Sequence, residues 1–533
     1  MAADPNPPST PSPSSSEGLG VDSGATVIEP RVESDVAESL VEAIAAIPAP
    51  ETMPAPLPDD SFDTDIAILG AGPGGYVAAI RAAQLGAKVT VIEREYLGGT
   101  CLNWGCIPSK AMIASVERLH EVHDAERFGV TGVKDAGSDF GVLMARKDKI
   151  VMTQRGGVAY LFKKNGVTHI EGDARFLDRN TLEISKEGEE ARRLTARHFI
   201  VATGSSAVRF NIPGLEGGRE EGVWTSDDAV TAPFVPKRMV ILGGGAVGCE
   251  FSYVFNGLGA EITLVELAEG LIPFADKELG TELGKLLGRS GITIKTGTTI
   301  DRVERKGEEW HVTLKKGETE EVVVCDVVLL GVGRKANSDG LGLEEIGVQM
   351  HRRGIQVVDD TMRTHVDNIY AIGDVTGRIQ LAHVASHEGI VAATNIVNGG
   401  QDGKPKLADY KAVPNCVYTS PEVASVGLTE AQAREQGYDV KIGKFAFRPL
   451  GKPMATGEQE GFVKVVAESK YGEVLGVHMI GAHVTDMIHE AVAAIKLEAT
   501  LDVMVDTIHA HPTMSEAVLE AFEDAQGHAI HKA

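Results

Sequence analysis

Cysteine is scarce in this chain, with five among 533 residues. A secreted disulfide framework needs a denser, even set, and one of these five is left over from any pairing. The sequence therefore predicts a reducing, cytoplasmic setting in which any disulfide is catalytic. Positive charge is short as well. Lys and Arg number 51 against 76 Asp and Glu, a formal net charge of -25, which argues against nucleic acid or an anionic membrane as the principal partner. No apolar run reaches the roughly 18 residues that a membrane span needs. Residues 1–62 hold no lysine and a single base, Arg31. Transit peptides are Arg-rich and poor in acids, and secretory signals need a basic start and an apolar centre. This acidic Pro/Ser/Ala-rich stretch has neither form and reads as a disordered tail. Within it, Val36, Leu40, Ile44 and Ile47 form an apolar stripe behind Asp35 and Glu38. That pattern predicts a short helix over residues 34–47, transient or docking.

Glycine, by contrast, is plentiful at 61 residues, which suits tight strand-to-helix turns and close approach of a cofactor. The chain is too long for one core, so two to four domains are expected. A short apolar strand at residues 65–69 runs into Gly70-Ala71-Gly72-Pro73-Gly74-Gly75, then a small-residue helix over 76–85, then a second strand ending on Glu93. This is the βαβ unit of a dinucleotide site. Gly70 permits the tight turn, Gly72 lets the backbone approach a pyrophosphate, and Gly75 lets helix and strand pack closely. Glu93 is placed to accept ribose hydroxyls. The pattern returns at residues 239–242, with Gly243, Gly245 and Gly248 in the turn and Glu266 closing the second strand. Two fingerprints mean two dinucleotides. A carboxylate at position 266 repels a 2′-phosphate, so the second nucleotide is expected to be NAD rather than NADP.

Three further buried strands look like crossings between the two nucleotide units: 199–204, ending in Thr203-Gly204; 327–334, ending in Gly333-Arg334; and 369–374, ending on Asp374. The first nucleotide domain is therefore expected to be discontinuous. From about residue 413 the texture changes to strands with short turns and then helices, a separate α+β domain. Domains are placed at 1–62 (tail), 63–212 and 337–412 (first nucleotide domain), 213–336 (second) and 413–533.

About thirty residues after the first fingerprint comes Gly98-Gly99-Thr100-Cys101-Leu102-Asn103-Trp104-Gly105-Cys106-Ile107-Pro108-Ser109-Lys110. In a regular helix, cysteines five positions apart have Cα atoms about 8 Å or more apart on different faces, whereas a disulfide wants roughly 4.4–6.8 Å. A Cys101–Cys106 bridge needs a distorted first turn, which Gly105 allows; the other reading is two separate buried thiols. Spacing leaves both open. Near the C-terminus, His511 precedes a proline, which holds it in a turn. Glu516 in the following helix could orient its imidazole and raise its basicity. His509 reads as structural, and Cys249, Cys325 and Cys416 as inert core thiols.

Taken together, the two GxGxxG units, the Gly-Gly-Thr-Cys-Leu-Asn-x-Gly-Cys-Ile-Pro-Ser-Lys block, Ala-Thr-Gly, Ile-Gly-Asp, Leu381-Ala382-His383 and His-Pro-Thr-x-Ser-Glu resemble the pyridine nucleotide-disulfide oxidoreductases over roughly residues 65–522. The resemblance is greatest to the branch that oxidises dihydrolipoamide. It implies an α/β fold of two Rossmann-like domains, for FAD and NAD, with a C-terminal α+β dimerisation domain. It also implies a Cys101–Cys106 redox disulfide, with Cys106 against the flavin as thiolate and Cys101 exchanging with substrate. Lys110 is implied near the flavin, paired with Glu250. Asp374, Thr203, Gly204, Ala382 and His383 are implied at the FAD site. In a homodimer, His511 with Glu516 would serve the other subunit as base. The implied partner is the lipoylated acyltransferase core of a 2-oxo acid dehydrogenase complex or the lipoylated glycine cleavage protein. Two alternatives are a reductase of another small disulfide, and a structural subunit whose role is docking to such a core.

Overall fold

A computed structural model describes residues 61–532 other than 134, 211 and 402. The tail and the helix expected at 34–47 lie outside the described residues.

The first sheet is built on strands that are apolar on both faces, as expected for parallel strands covered by helices on each side. Thr64–Leu69 is buried throughout. It pairs in parallel with Val89–Glu93 on one side and Arg192–Val201 on the other. Thr168–Glu171 extends the first edge, and Ile369–Ala371 adds to Arg192–Val201 at the other. A segment some 170 residues downstream thus returns to complete the first sheet. The helix after the first strand spans Pro73–Gln84, three residues earlier than the sequence pattern suggests. Pro73 opens it because a missing N–H costs nothing at the first helical position.

The second sheet repeats the plan. Its order is Thr293–Lys295, Glu261–Val265, Arg238–Leu242, Val327–Leu330 and Val223–Thr225, and all neighbours are parallel. Ala246–Gly257 is its fingerprint helix. The C-terminal part carries a five-stranded antiparallel sheet, with Val474–Gly481 at its centre, packed against Val484–Lys496 and Glu516–Gln526. Among the described residues no helix is long and apolar enough to cross a membrane.

One helix seam positions the chemistry. The helix Cys106–Asp124 lies along Ala246–Gly257 of the second unit. Lys110 meets Glu250, His120 Nδ1 lies 3.1 Å from the Tyr253 hydroxyl, and Val116 sits where a side chain on Gly257 would be. A Cβ at 257 would come within 2.3 Å of Val116, so glycine is what lets the two helices approach this closely.

Candidate active site

The cysteine stretch is two helices rather than one. Gly98 takes a left-handed conformation, φ 93°, and starts the short helix Gly99–Asn103. The chain then breaks at Trp104-Gly105 and restarts as Cys106–Asp124, so each cysteine belongs to a different helix. Asn103 fastens the first of these. Its Nδ2 donates to the carbonyls of Leu97 (3.1 Å) and Gly99 (2.8 Å), and its Oδ1 accepts from Arg155. The Arg155 guanidinium also covers the Tyr96 ring at 3.7 Å.

Both cysteines are thiols here, unbonded to each other. Their chemistry differs sharply. The hydrogen bond from Cys101 is the main influence that lowers the Cys106 thiol to about 7; the Lys110 ammonium helps, against burial and Glu250. Cys106 is also the first residue of a 19-residue helix, where the positive end of the dipole favours an anion. Cys101 is held protonated by the same hydrogen bond and by burial. The pair is thus polarised, with a donor thiol at 101 and a sulfur poised to carry charge at 106.

Lys110 Nζ lies 2.7 Å from Glu250 Oε2. The other Glu250 oxygen accepts the Tyr418 N–H at 3.1 Å, and the ammonium stands 4.3 Å above the centroid of the Tyr418 ring. Tyr418 comes from the C-terminal part of the chain, so three regions meet at this ion pair. Cys416, expected to be a core thiol, is half-buried two residues away, and desolvation pushes it up to about 11. Cys249 and Cys325 are buried.

The two nucleotide fingerprints have matching geometry. A Cβ on Gly75 would fall 2.0 Å from Gly70 O, and one on Gly248 would fall 1.8 Å from Gly243 O. Gly72 and Gly245 cap the helices, and neither helix has a side chain bonded to its first N–H groups. Those free donors and the helix dipole fit a pyrophosphate at each turn. Glu93 accepts the Ala71 N–H (2.8 Å) and the Glu95 N–H (3.0 Å). Glu266 does the same with Gly244 (2.5 Å) and Ala268 (2.7 Å). Each carboxylate is fixed at its strand end with lone pairs left for ribose hydroxyls. A cavity of about 550 Å³ opens beside the first, bordered by Gly70, Glu93, Thr203 and Asn337. These features fit FAD at the first turn and NAD at the second.

Further along, Thr203 Oγ1 donates to Asn337 O at 2.7 Å, and Gly204 follows at φ 69°. Asp374 accepts from Ser205 Oγ at 2.5 Å. Ser205 is in turn gripped by Arg334, whose Nε reaches its hydroxyl and whose Nη2 reaches its carbonyl, both at 2.7 Å. Arg334 Nη2 also lies 3.4 Å from Thr100 Oγ1, beside Cys101. Gly333 precedes it at φ 119°. Ala382 and His383 open the helix Ala382–Asn398, and His383 Nε2 lies 3.0 Å from Pro414 O. Buried Glu388 on that helix takes the Gly373 N–H (2.6 Å) and the Tyr410 hydroxyl (2.7 Å).

His511 stands apart from the cysteines. Its Nδ1 is 2.7 Å from Glu516 Oε1, while Glu516 Oε2 accepts the Thr513 N–H at 2.9 Å. The imidazole is 75% exposed and, among the described residues, hydrogen-bonds only Glu516. Burial pushes the Glu516 carboxyl up, but its bonds from His511 and Thr513 outweigh that and leave it below the usual carboxylate range. The His509 side chain is largely covered, between Glu490 and Thr507 O, each at 2.8 Å. Sequence reasoning did not single out Tyr418, Ser205, Asn337, Arg155 or Glu388. Of the site's additional residues only Arg334 carried a local signal, as the charge that ends an apolar run.

Residues 64–389 match the family model described as pyridine nucleotide-disulphide oxidoreductase, and residues 413–522 match that family's dimerisation domain. The chain is 42% identical over 477 residues to the dihydrolipoyl dehydrogenase of Haloferax volcanii, covering 89% of this chain and 98% of the relative. It is 42% identical over 470 residues to that of Mycobacterium leprae (87% and 99%) and 41% over 477 residues to that of Bacillus subtilis (88% and 99%). The HOCl-induced flavoprotein disulfide reductase RclA of Escherichia coli, solved as a Cu(II) complex, shares the fold with a TM-score of 0.76 and 25% identity, covering 86% of this chain and 99% of that one. Members of the family use FAD and NAD(H). The chain belongs to the pyridine nucleotide-disulphide oxidoreductases and is a flavoprotein disulfide oxidoreductase.

Proposed function

We propose that the chain oxidises protein-bound dihydrolipoamide to lipoamide and delivers the electrons to NAD. The carrier is the lipoylated acyltransferase core of a 2-oxo acid dehydrogenase complex or the lipoylated glycine cleavage protein. The observation that carries the redox reading is the polarised Cys101–Cys106 pair beside Lys110–Glu250. The substrate class rests on the dihydrolipoyl dehydrogenases that match nearly end to end. Residues 63–212 and 337–412 form the FAD-binding domain, 213–336 the NAD-binding domain and 413–533 the interface of a homodimer.

The reaction begins with the pair oxidised to a disulfide. His511 of the partner subunit, held by Glu516, takes a proton from one substrate thiol at Nε2, since the thiolate rather than the thiol is the nucleophile. That outward-facing imidazole, with Nδ1 already engaged, supports service to a second subunit. The substrate thiolate attacks Cys101 Sγ, the Cys101–Cys106 bond breaks, and Cys106 departs as thiolate. A sulfur with a pKa of about 7 leaves readily. The second substrate thiol then attacks the substrate sulfur of the mixed disulfide, closing the lipoamide ring, and its proton passes to the departing Cys101 sulfur, which leaves as a thiol. FAD, when bound, supplies two-electron carriage between the reduced cysteines and NAD. Lys110 places a cation where negative charge accumulates, Asp374, Thr203 and Gly204 hold the FAD end of the site, and Glu266 selects a free 2′-hydroxyl over a 2′-phosphate.

The test is reduction of NAD and, separately, of NADP by the purified yellow protein supplied with dihydrolipoamide. Fast NADH formation with little NADPH is expected. No reaction, together with NADPH oxidation by another disulfide, would move the chain to a different reductase branch.

A further inference from the structure

We propose that Tyr418 is a positioning residue for the redox pair, its ring holding Lys110 and its backbone N–H holding Glu250 so that the ammonium stays beside Cys106. The inference deepens the proposed function and rests on its assignment of Cys106 and Lys110. Lys110 is a long flexible side chain that leaves the cysteine helix with its ammonium partly exposed. One carboxylate oxygen at 2.7 Å sets a distance for the ammonium but not a direction, and the lysine side chain remains 32% exposed. Tyr418 supplies what is missing. Its ring face lies 4.3 Å from the ammonium, within the range of a cation–π contact. Its N–H occupies Glu250 Oε1 at 3.1 Å, which orients the carboxylate so that Oε2 faces Lys110.

Neither contact is available from the cysteine helix or from Ala246–Gly257. Both come from the loop after the strand Asn415–Val417, at the start of the C-terminal part of the chain. The same part carries His511 and Glu516, so in the proposed dimer this region props the charge in its own subunit and supplies the base to the other. Among the described residues, the charged and titratable groups around Lys110 and Cys106 include Glu250 on the neighbouring helix, Cys106 one turn back, Cys101 on the preceding short helix, and Tyr418 and Cys416 from the loop and strand. The ring is an uncharged partner in contact with the ammonium, and it can be removed without changing the net charge of the set.

The experiment uses partly reduced holoenzyme and needs neither lipoamide nor nucleotide, so its outcome is separate from the substrate assignment. The long-wavelength absorbance of the partly reduced holoenzyme, which reports a thiolate at Cys106 beside the flavin, is followed across about pH 5.5–9.5, a range that brackets the thiol. With a thiol at about 7, half of Cys106 is thiolate at pH 7. A rise of one unit would cut that to about a tenth, so the absorbance at pH 7 would fall about fivefold. Tyr418→Leu, which keeps the backbone N–H but loses the ring, is expected to move the Cys106 profile to higher pH and so to lower the absorbance at pH 7. Tyr418→Phe, which keeps the ring, is expected to leave it in place. Flavin absorbance per chain reports folding in each variant, and Tyr418→Met serves the same purpose if the leucine variant loses flavin. An unchanged profile in the folded ring-deleted variant overturns the proposal. A Phe variant shifted as far as the Leu variant overturns it too, because the hydroxyl rather than the ring would then be responsible.

Discussion

Replacing Glu516 by glutamine removes one charge and no atoms of bulk, and the local hydrogen bonding decides how the imidazole responds. Both carboxylate oxygens accept, one from His511 Nδ1 at 2.7 Å and the other from the Thr513 N–H at 2.9 Å. A glutamine has one acceptor to offer. If its oxygen keeps the His511 bond, its NH₂ group faces the Thr513 N–H, and an unsatisfied donor costs about 1–3 kcal/mol. If its oxygen keeps Thr513, its NH₂ donates to Nδ1, and the imidazole proton moves to Nε2. The second arrangement satisfies every group and is therefore favoured, but it leaves the outward nitrogen unable to take a proton. The expected loss approaches the whole contribution of a general base, about 10²–10⁴ in kcat. Stopped-flow turnover with dihydrolipoamide measures it, and bleaching of the flavin by NADH, which bypasses the base, is expected to be unchanged. A kcat within twofold of the parent protein would refute the reasoning. The pair's contribution to stability also has a signed pH dependence. The Glu516 carboxyl lies below its unfolded value of about 4.3, burial being outweighed by its two hydrogen bonds. The stabilisation is therefore full above that value and is lost as the pH falls through the folded one.

Cys106→Ser is expected to abolish the long-wavelength absorbance that develops on partial reduction, while Cys101→Ser preserves it; a band surviving in the first variant would reverse the roles of the two sulfurs. Lys464→Met removes a cation that is 3% exposed and lies within 3.1 Å of Asp276, 2.7 Å of Glu278 and 3.0 Å of Glu430. Three carboxylates left around an apolar stem cost about 3–5 kcal/mol. At about 2–4 °C per kcal/mol this is a fall in Tm of about 6–20 °C, and a scanning-calorimetry Tm within about 2 °C of the parent would refute it. Glu430 is held low chiefly by its bond to Lys464. The difference between parent and variant should therefore narrow as the pH drops below the carboxylate range.

Where the sequence can be read locally, it places the chemistry. Strand Thr64–Leu69, the turn at Gly70 and the carboxylate of Glu93 are separated by fixed short distances, so one stretch of βαβ pattern contains all of the information. The same holds for Gly243 and Glu266, and for His511 and Glu516, five residues apart across a turn. The break between Gly99–Asn103 and Cys106–Asp124 falls at Trp104-Gly105, beside the glycine that the sequence marks as able to distort the turn. What escapes such a reading are contacts between regions distant in the chain. The pairing of Lys110 with Glu250, 140 residues apart, comes from the family resemblance alone, and no signal at all points to Tyr418 with Glu250, 168 apart, or Arg334 with Thr100, 234 apart. Nothing in the neighbourhood of Tyr418 distinguishes it from an ordinary half-buried tyrosine beside a short strand. Its role exists only because the C-terminal sheet packs where the cysteine helix meets the second nucleotide unit. Cys416 shows the same limit in reverse. An apolar neighbourhood in sequence reads as core, yet the strand that carries it borders the site and leaves the thiol half-exposed. Periodicity reports which face of an element is covered, and for this strand the cover is the site itself.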